Sequence, residues 1–210
     1  MSTDCGAPRR LLARAVAYGA CARLLAPWSG GAVPRDSVEW LDRSLAQLEL
    51  TEGRARFRAF LEQVEQDPEA YRTEYARVFE RGSVPPYAAS YAAQASPALG
   101  GPNLQQIADI AGFYRAFGFE ARGDRPDHLA AQLEFLAFVC TQEACACLVG
   151  REEDAEVCSQ ARRSFLREHV SSWLPALATR VRQASSHPGL HQLVALVDLL
   201  CKSDEAEPTS

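Results

Sequence analysis

Apolar residues recur every three to four positions along almost the whole chain, and no stretch reads as a strand. A chain patterned this way buries its hydrophobic stripes by laying helices against one another. The expected fold is therefore all-α, a single-domain bundle of about eight to nine helices over residues 1–202. Ser203 to Ser210 are polar and are expected to form a frayed, flexible tail.

Punctuation places the helices. Leu11, Leu12, Ala15, Val16, Gly19, Ala22 and Leu25 mark the first, which stops at Ala26-Pro27 because a residue before proline disfavours the helical region. Asp36 is suited to cap a second helix carrying Val38, Trp40, Leu41, Leu45 and Leu48, and Thr51-Glu52 opens a third with Phe57, Phe60, Leu61 and Val64. Asp67-Pro68 starts a fourth, with the acid as cap and the proline at the first helical position. Asn103 caps a fifth that ends at Gly118, and Asp127 begins the longest, where Leu129, Leu133, Leu136 and Cys140 form one stripe and Phe135 and Phe138 another. Three more follow, over about 152–170, 173–184 and 187–201.

Between the fourth and fifth helices, Arg81 to Pro102 is rich in glycine and proline. A loop this long inside a compact domain is more often functional than a mere connector. It carries Pro85-Pro86, which stiffen it, and Tyr87 and Tyr91, which combine aromatic faces with polar tips.

Charge excludes some partners. The net charge is -5 with both signs interspersed, so nucleic acid is not expected, while a mildly acidic surface suits a basic peptide or serves solubility alone. Arg9-Arg10 followed by Leu11-Leu12 superficially resembles an export signal, but Arg14 and Arg23 interrupt the apolar stretch and make it an amphipathic first helix. No apolar run is long enough to span a bilayer, and a cytoplasmic location is expected. The seven cysteines contain no CxxC pair and read as reduced thiols, with Cys140, Cys145 and Cys147 in an apolar run where core packing outweighs metal binding. There is no GxSxG elbow, P-loop, dinucleotide fingerprint or HExxH helix, so an enzyme is not expected, nor a metal or cofactor of its own. A cysteine hydrolase pairing one thiol with His128 has no residue marked as an activated thiolate.

Glu74-Tyr75-Ala-Arg-Val78-Phe79, then Pro85-Pro86-Tyr87 and Ser90-Tyr91, resemble the helix-to-loop signature of the TorD/NarJ-like maturation chaperones. Pro126-Asp127-His128-Leu129 with Leu133-Glu134-Phe135 is similar to that family's Asp-His-Leu helix start, and Arg163 to His169 with Trp173-Leu174-Pro175 to its C-terminal motifs. The subgroup that fits best serves type II enzymes of the DMSO reductase family. Ala88 and Gln132 depart from it, standing where relatives often carry acidic residues.

The resemblance implies an all-helical chaperone that binds the immature catalytic subunit of a molybdopterin oxidoreductase, often by its twin-arginine leader. It would hold that subunit back until the bis-molybdopterin guanine dinucleotide cofactor is inserted. Client-binding residues on this reading are Glu74, Tyr75, Pro85, Pro86, Tyr87, Ser90, Tyr91, Asp127, His128 and Glu134. Glu74, Asp127 and Glu134 are the candidate acceptors for arginine, since carboxylates take a guanidinium bidentately. Asp127 and Glu134, seven apart on one helix, would project from nearly the same face. Each residue also has a plainer reading. Asp127 suits the positive end of a helix dipole, His128 is either a loop-fixing hydrogen-bonder or a lone structural histidine, and the two tyrosines either meet a peptide or pin the loop. A helical scaffold unrelated to molybdoenzymes is the alternative function, and monomer and dimer both remain open.

Overall fold

In the computed structural model the described residues are 6–26, 33–92, 103–121 and 125–207. Among them are ten helices and no strand, so the all-α expectation holds. They are α1 (Gly6–Leu24), α2 (Arg35–Gln47), α3 (Thr51–Gln66), α4 (Pro68–Tyr75), α5 (Ala89–Ala92), α6 (Leu104–Ala116), α7 (Leu129–Leu148), α8 (Glu152–Phe165), α9 (Leu174–Ala184) and α10 (Pro188–Glu205). The helix beyond the expected nine is α5, a single turn inside the loop read from the sequence. Residues 93–102 of that loop lie outside the described residues.

Caps set most of the boundaries. The Asp67 carboxylate accepts from Ala70 N at 2.9 Å to start α4, and the Asn103 side chain accepts from Gln106 N at 3.2 Å to start α6. Gly118, just past α6, takes φ +63°, a left-handed conformation that terminates a helix and suits glycine. Asp36 is not a cap: α2 begins at Arg35 and Asp36 sits in its first turn. Both α4 and α8 continue as a wider π-helical turn, Ala76–Glu80 and Leu166–Val170. Such turns re-aim the chain at a helix end, and these two lead into the 81–92 loop and into Trp173.

α7 is the hub, packed along α1 on one side and α8 on the other, while α2 lies on α1 and α3 on α10. Two of its faces are occupied. Leu129, Leu133, Leu136 and Cys140 are fully buried, and Phe135 anchors an aromatic cluster with Phe113, Tyr114, Phe117, Phe119 and Phe165 at centroid distances of 4.5–6.4 Å. The buried part of α1 is rich in small residues, Ala13, Ala15, Ala17, Ala20, Cys21 and Ala22, which suits close packing against α7. Cys145 departs from the sequence reading by being exposed, whereas Cys140 is in the core.

The polar C-terminus also departs from expectation. α10 runs to Glu205, and Asp204 is buried against Arg14 and Arg162, themselves only 1% and 2% exposed. Asp204 accepts from Tyr18 Oη at 2.8 Å and from Arg14 Nη1 at 3.1 Å, and pairs with Arg162. Arg162 also donates to Glu143 at 2.8 Å, and Glu207 binds Arg10 and Arg14. Two buried guanidiniums need carboxylates, and the end of the chain supplies them. The expected tail is therefore structural through Glu207, while 208–210 lie outside the described residues.

Candidate functional site at the loop and the head of the long helix

The chain leaves the first π-helical turn through Gly82, whose φ of +82° reverses its direction, and Val84 is buried with its N–H on the Val78 carbonyl at 2.8 Å. Pro85 and Pro86 then run extended beside the segment entering α7. Leu129 N donates to Pro86 O and Ala88 N to Asp127 O, each at 2.9 Å, so Tyr87 and His128 form an isolated antiparallel bridge. The loop is thus clamped to the head of α7.

Asp127 sits inside the clamp rather than on α7, whose cap is His128: the His128 Nδ1 accepts from Ala130 N at 3.1 Å. The Asp127 carboxylate is fully buried. It accepts two bonds from Arg125 at 2.8 Å each and one from Ala89 N at 3.1 Å, at the start of α5. Asp127 and Glu134 therefore do not share a helical face. Arg125, bridging outward, lies 4.3 Å over the Tyr87 ring, and Tyr87 meets the His128 ring edge-on at 5.2 Å. Tyr91, on α5, packs on Trp173 at 5.1 Å with Arg180 4.6 Å over its ring, and Trp173 Nε1 donates to His169 O at 2.7 Å. Pro85, Tyr87, Ser90 and His128 are half-buried and form the outer face.

The other expected residues lie apart from the clamp. Glu74 takes two bonds from Arg77 and one from Ser185 Oγ at 2.6 Å. The Arg77 hydrogen bond holds its carboxyl well below the usual range, at about 2, against the opposing effect of burial. Tyr75 is buried, its hydroxyl donating to Leu25 O at 2.7 Å. Glu134 faces a separate cleft of about 740 Å³ between α1, α2 and α7. Of the three carboxylates expected to receive arginine, two are consumed inside the fold. Ala88 and Gln132 are both fully buried, so acidic residues at those positions would add nothing to surface charge here. The clamp's Arg125 and the Arg180 on Tyr91 escaped the sequence reading. Only the spacing of two between Arg125 and Asp127 hinted at the former.

The core thiols Cys21, Cys140 and Cys201 are not primed as nucleophiles. Burial pushes the Cys21 thiol up to about 12 and holds Cys140 and Cys201 well above the ordinary thiol value, the opposite of an activated nucleophile. Among the described residues no group of three or more His, Cys, Asp or Glu could hold a metal ion, and no helix is long and apolar enough to cross a membrane.

His128 makes the clamp sensitive to acid. Burial lowers its pKa and Arg125 adds to this, while Asp127 opposes, with a net shift downward. A histidine favoured neutral by the fold contributes fully above its unfolded pKa of about 6.5 and loses that contribution as pH falls through the lower folded value. Protonation also removes the Nδ1 acceptor of the cap, a loss of about 1 kcal/mol. Urea unfolding should show stability declining below pH 6.5. His128→Asn, a cap that does not titrate, should flatten that decline apart from the share of His169, whose pKa burial also lowers. An unchanged slope in the variant would show that His128 is not the sensor.

Residues 45–179 match the nitrate reductase delta subunit family. The chain is 37% identical over 134 residues to the selenate reductase assembly chaperone of Thauera selenatis, covering 60% of this chain and 67% of that protein. It is 36% identical over 134 residues to the chlorate reductase assembly chaperone of Ideonella dechloratans, with the same coverage of 60% and 67%. Over 120 residues it is 31% identical to the chaperone TorD of Vibrio cholerae, covering 57% of this chain and 52% of that one. No solved structure matches the chain. With the matched span enclosing the clamp, α7 and the Trp173 turn, the chain belongs to the nitrate reductase delta subunit family, the TorD/NarJ-like group.

Proposed function

We propose that this protein is an assembly chaperone for the catalytic subunit of a molybdenum-containing reductase. It binds the immature subunit, including its twin-arginine leader, until the cofactor is in place. The observation that carries this reading is the similarity to relatives named as assembly chaperones of selenate and chlorate reductases. The clamp adds physical support: its outer face presents Pro85, Tyr87, Ser90 and Arg125 on a backbone already locked by hydrogen bonds, so little chain entropy is lost on docking. Tyrosine and arginine are also the residues that most often dominate protein interfaces.

The test is co-purification of the tagged chain with a co-expressed reductase catalytic subunit, with and without its leader. Retention by the wild type is expected, with Tyr87→Ala/Arg125→Ala weakening it at least about tenfold, the scale of a single interface anchor. Failure of the wild type to retain any form of the subunit would overturn the chaperone reading.

A further inference from the structure

Cys147, near the end of α7, and Cys158, in the second turn of α8, stand on adjacent helices joined by a short turn. In that turn Arg151 N donates to Ala146 O at 2.9 Å and Gly150 N to Cys147 O at 3.3 Å, with Gly150 at φ +71°. So short a connection makes α7 and α8 antiparallel neighbours, packed along their lengths. An ion pair between them marks the register, Arg162 Nε donating to Glu143 at 2.8 Å. Cys147 lies one helical turn from Glu143 towards the tip of this hairpin, and Cys158 one turn from Arg162 in the same direction. The two cysteines therefore continue the rows that carry the ion pair, one level nearer the tip. Small residues line the helices there, Ala146 at 8% exposure and the half-buried Ala155, which suits a close approach.

Access and environment distinguish this pair from the other thiols. Cys147 is half-buried and Cys158 only 8% exposed, so a small solute reaches the first while the helix pair shields the second. Cys21, Cys140 and Cys201 lie in the core. Cys145 is exposed, but two positions from Cys147 it points to a different side of α7. Burial first and the Glu143 carboxylate second raise the pKa of both Cys147 and Cys158, and a charge on Cys147 raises that of Cys158 further, as a neighbour's does. Both groups rest as thiols at neutral pH and react slowly, which suits a response to sustained rather than brief oxidant.

We propose that Cys147 and Cys158 form a dithiol pair that a hydroperoxide converts reversibly into a disulfide stapling the α7–α8 hairpin. The Cys147 sulfur, its proton lost to solvent, attacks one oxygen of hydrogen peroxide. The O–O bond breaks, the released hydroxide takes up a proton as water, and Cys147 is left as a sulfenic acid. The Cys158 sulfur then attacks the Cys147 sulfur, and its own proton leaves with the displaced hydroxide as a second water. The two thiols lose two electrons and two hydrogens, and the peroxide is reduced to two waters. A dithiol reductant restores the pair by exchange. The bond closes a short loop at the end of α7 remote from the clamp, so it stabilises the hairpin independently of what the clamp binds.

The test treats the reduced full-length chain with excess hydrogen peroxide, alkylates it with N-ethylmaleimide after unfolding, and maps it by peptide mass spectrometry. A peptide pair joined through Cys147 and Cys158 within one chain is expected, two hydrogens lighter than its separate halves and lost on adding dithiothreitol. Oxidation should raise Tm by roughly 5 °C, the scale for closing a loop of this length in a chain of this size. The rise should vanish in Cys147→Ser and in Cys158→Ala and persist in Cys145→Ser. If Cys158→Ala folds poorly, Cys147→Ser decides the matter alone, since its side chain is only half-buried. Cys147 running on to sulfinic acid without bonding Cys158, a disulfide that takes Cys145 or joins two chains instead, or a Tm rise that survives in Cys147→Ser would each overturn the proposal.

Discussion

Asp204→Ala is expected to lower stability by about 3–5 kcal/mol, the cost of breaking a buried ion pair by removing one partner. Asp204 joins α10 to α1 through Arg14 and Tyr18, and to α8 through Arg162, all buried. Its removal leaves both buried guanidiniums with one carboxylate each, the partly exposed Glu207 for Arg14 and the buried Glu143 for Arg162. For a chain of this size each kcal/mol moves Tm by roughly 2–4 °C, so a fall on the order of 10 °C is expected. A chain ending at Lys202 should fall at least as far, since it loses Asp204 and Glu207 together. A drop under about 2 °C in either case would show the cluster to be energetically idle. The fourfold change Asp204→Leu/Arg14→Met/Arg162→Leu/Glu143→Leu should recover much of the loss, because apolar replacements of similar volume remove the desolvation cost together with the buried pairs, while Glu207 keeps Arg10 and its access to water.

That cluster also marks the limit of what could be read from the chain. Helix positions were legible wherever the determinant is local: the Asp67-Pro68 and Asn103 caps, the stop at Gly118, and the two stripes of α7. Asp204 was not, because its partner Arg14 lies 190 positions away, and polarity near a terminus reads as exposure unless that partner is known. The clamp was half legible. Pro86, Tyr87 and His128 meet as the motifs implied, but two adjacent polar residues leave the cap register uncertain by one. Pairing with the 85–89 loop gives the cap to His128 and draws Asp127 inward. Glu74 failed as an acceptor for a similar reason, its neighbour Arg77 and the distant Ser185 having claimed it. Only Glu134 remains available, on a different face from the clamp.

Asp127→Ala should therefore act on the client through the fold rather than by removing a contact. The carboxylate is fully buried and organises three donors, the two N–H groups of Arg125 and the backbone N–H of Ala89. Arg125 keeps access to water, with its side chain 39% exposed, so its share of the loss is screened, but the Ala89 N–H is left buried without an acceptor. The expected loss is about 2–3 kcal/mol. Its structural consequence is local: α5 loses the anchor at its first residue, Arg125 is released from the Tyr87 ring, and hydrogen exchange at Ala88 and Ala89 should accelerate before that of the α7 interior. Asp127→Asn, which keeps one acceptor oxygen for Ala89 N while losing the charge, should fall between. If the clamp surface is where the client docks, both variants lose retention in the order of their loop exchange rates, at temperatures where far-UV circular dichroism shows the bundle intact. Retention that survives in Asp127→Ala with the loop demonstrably opened would place the client on a surface other than the clamp.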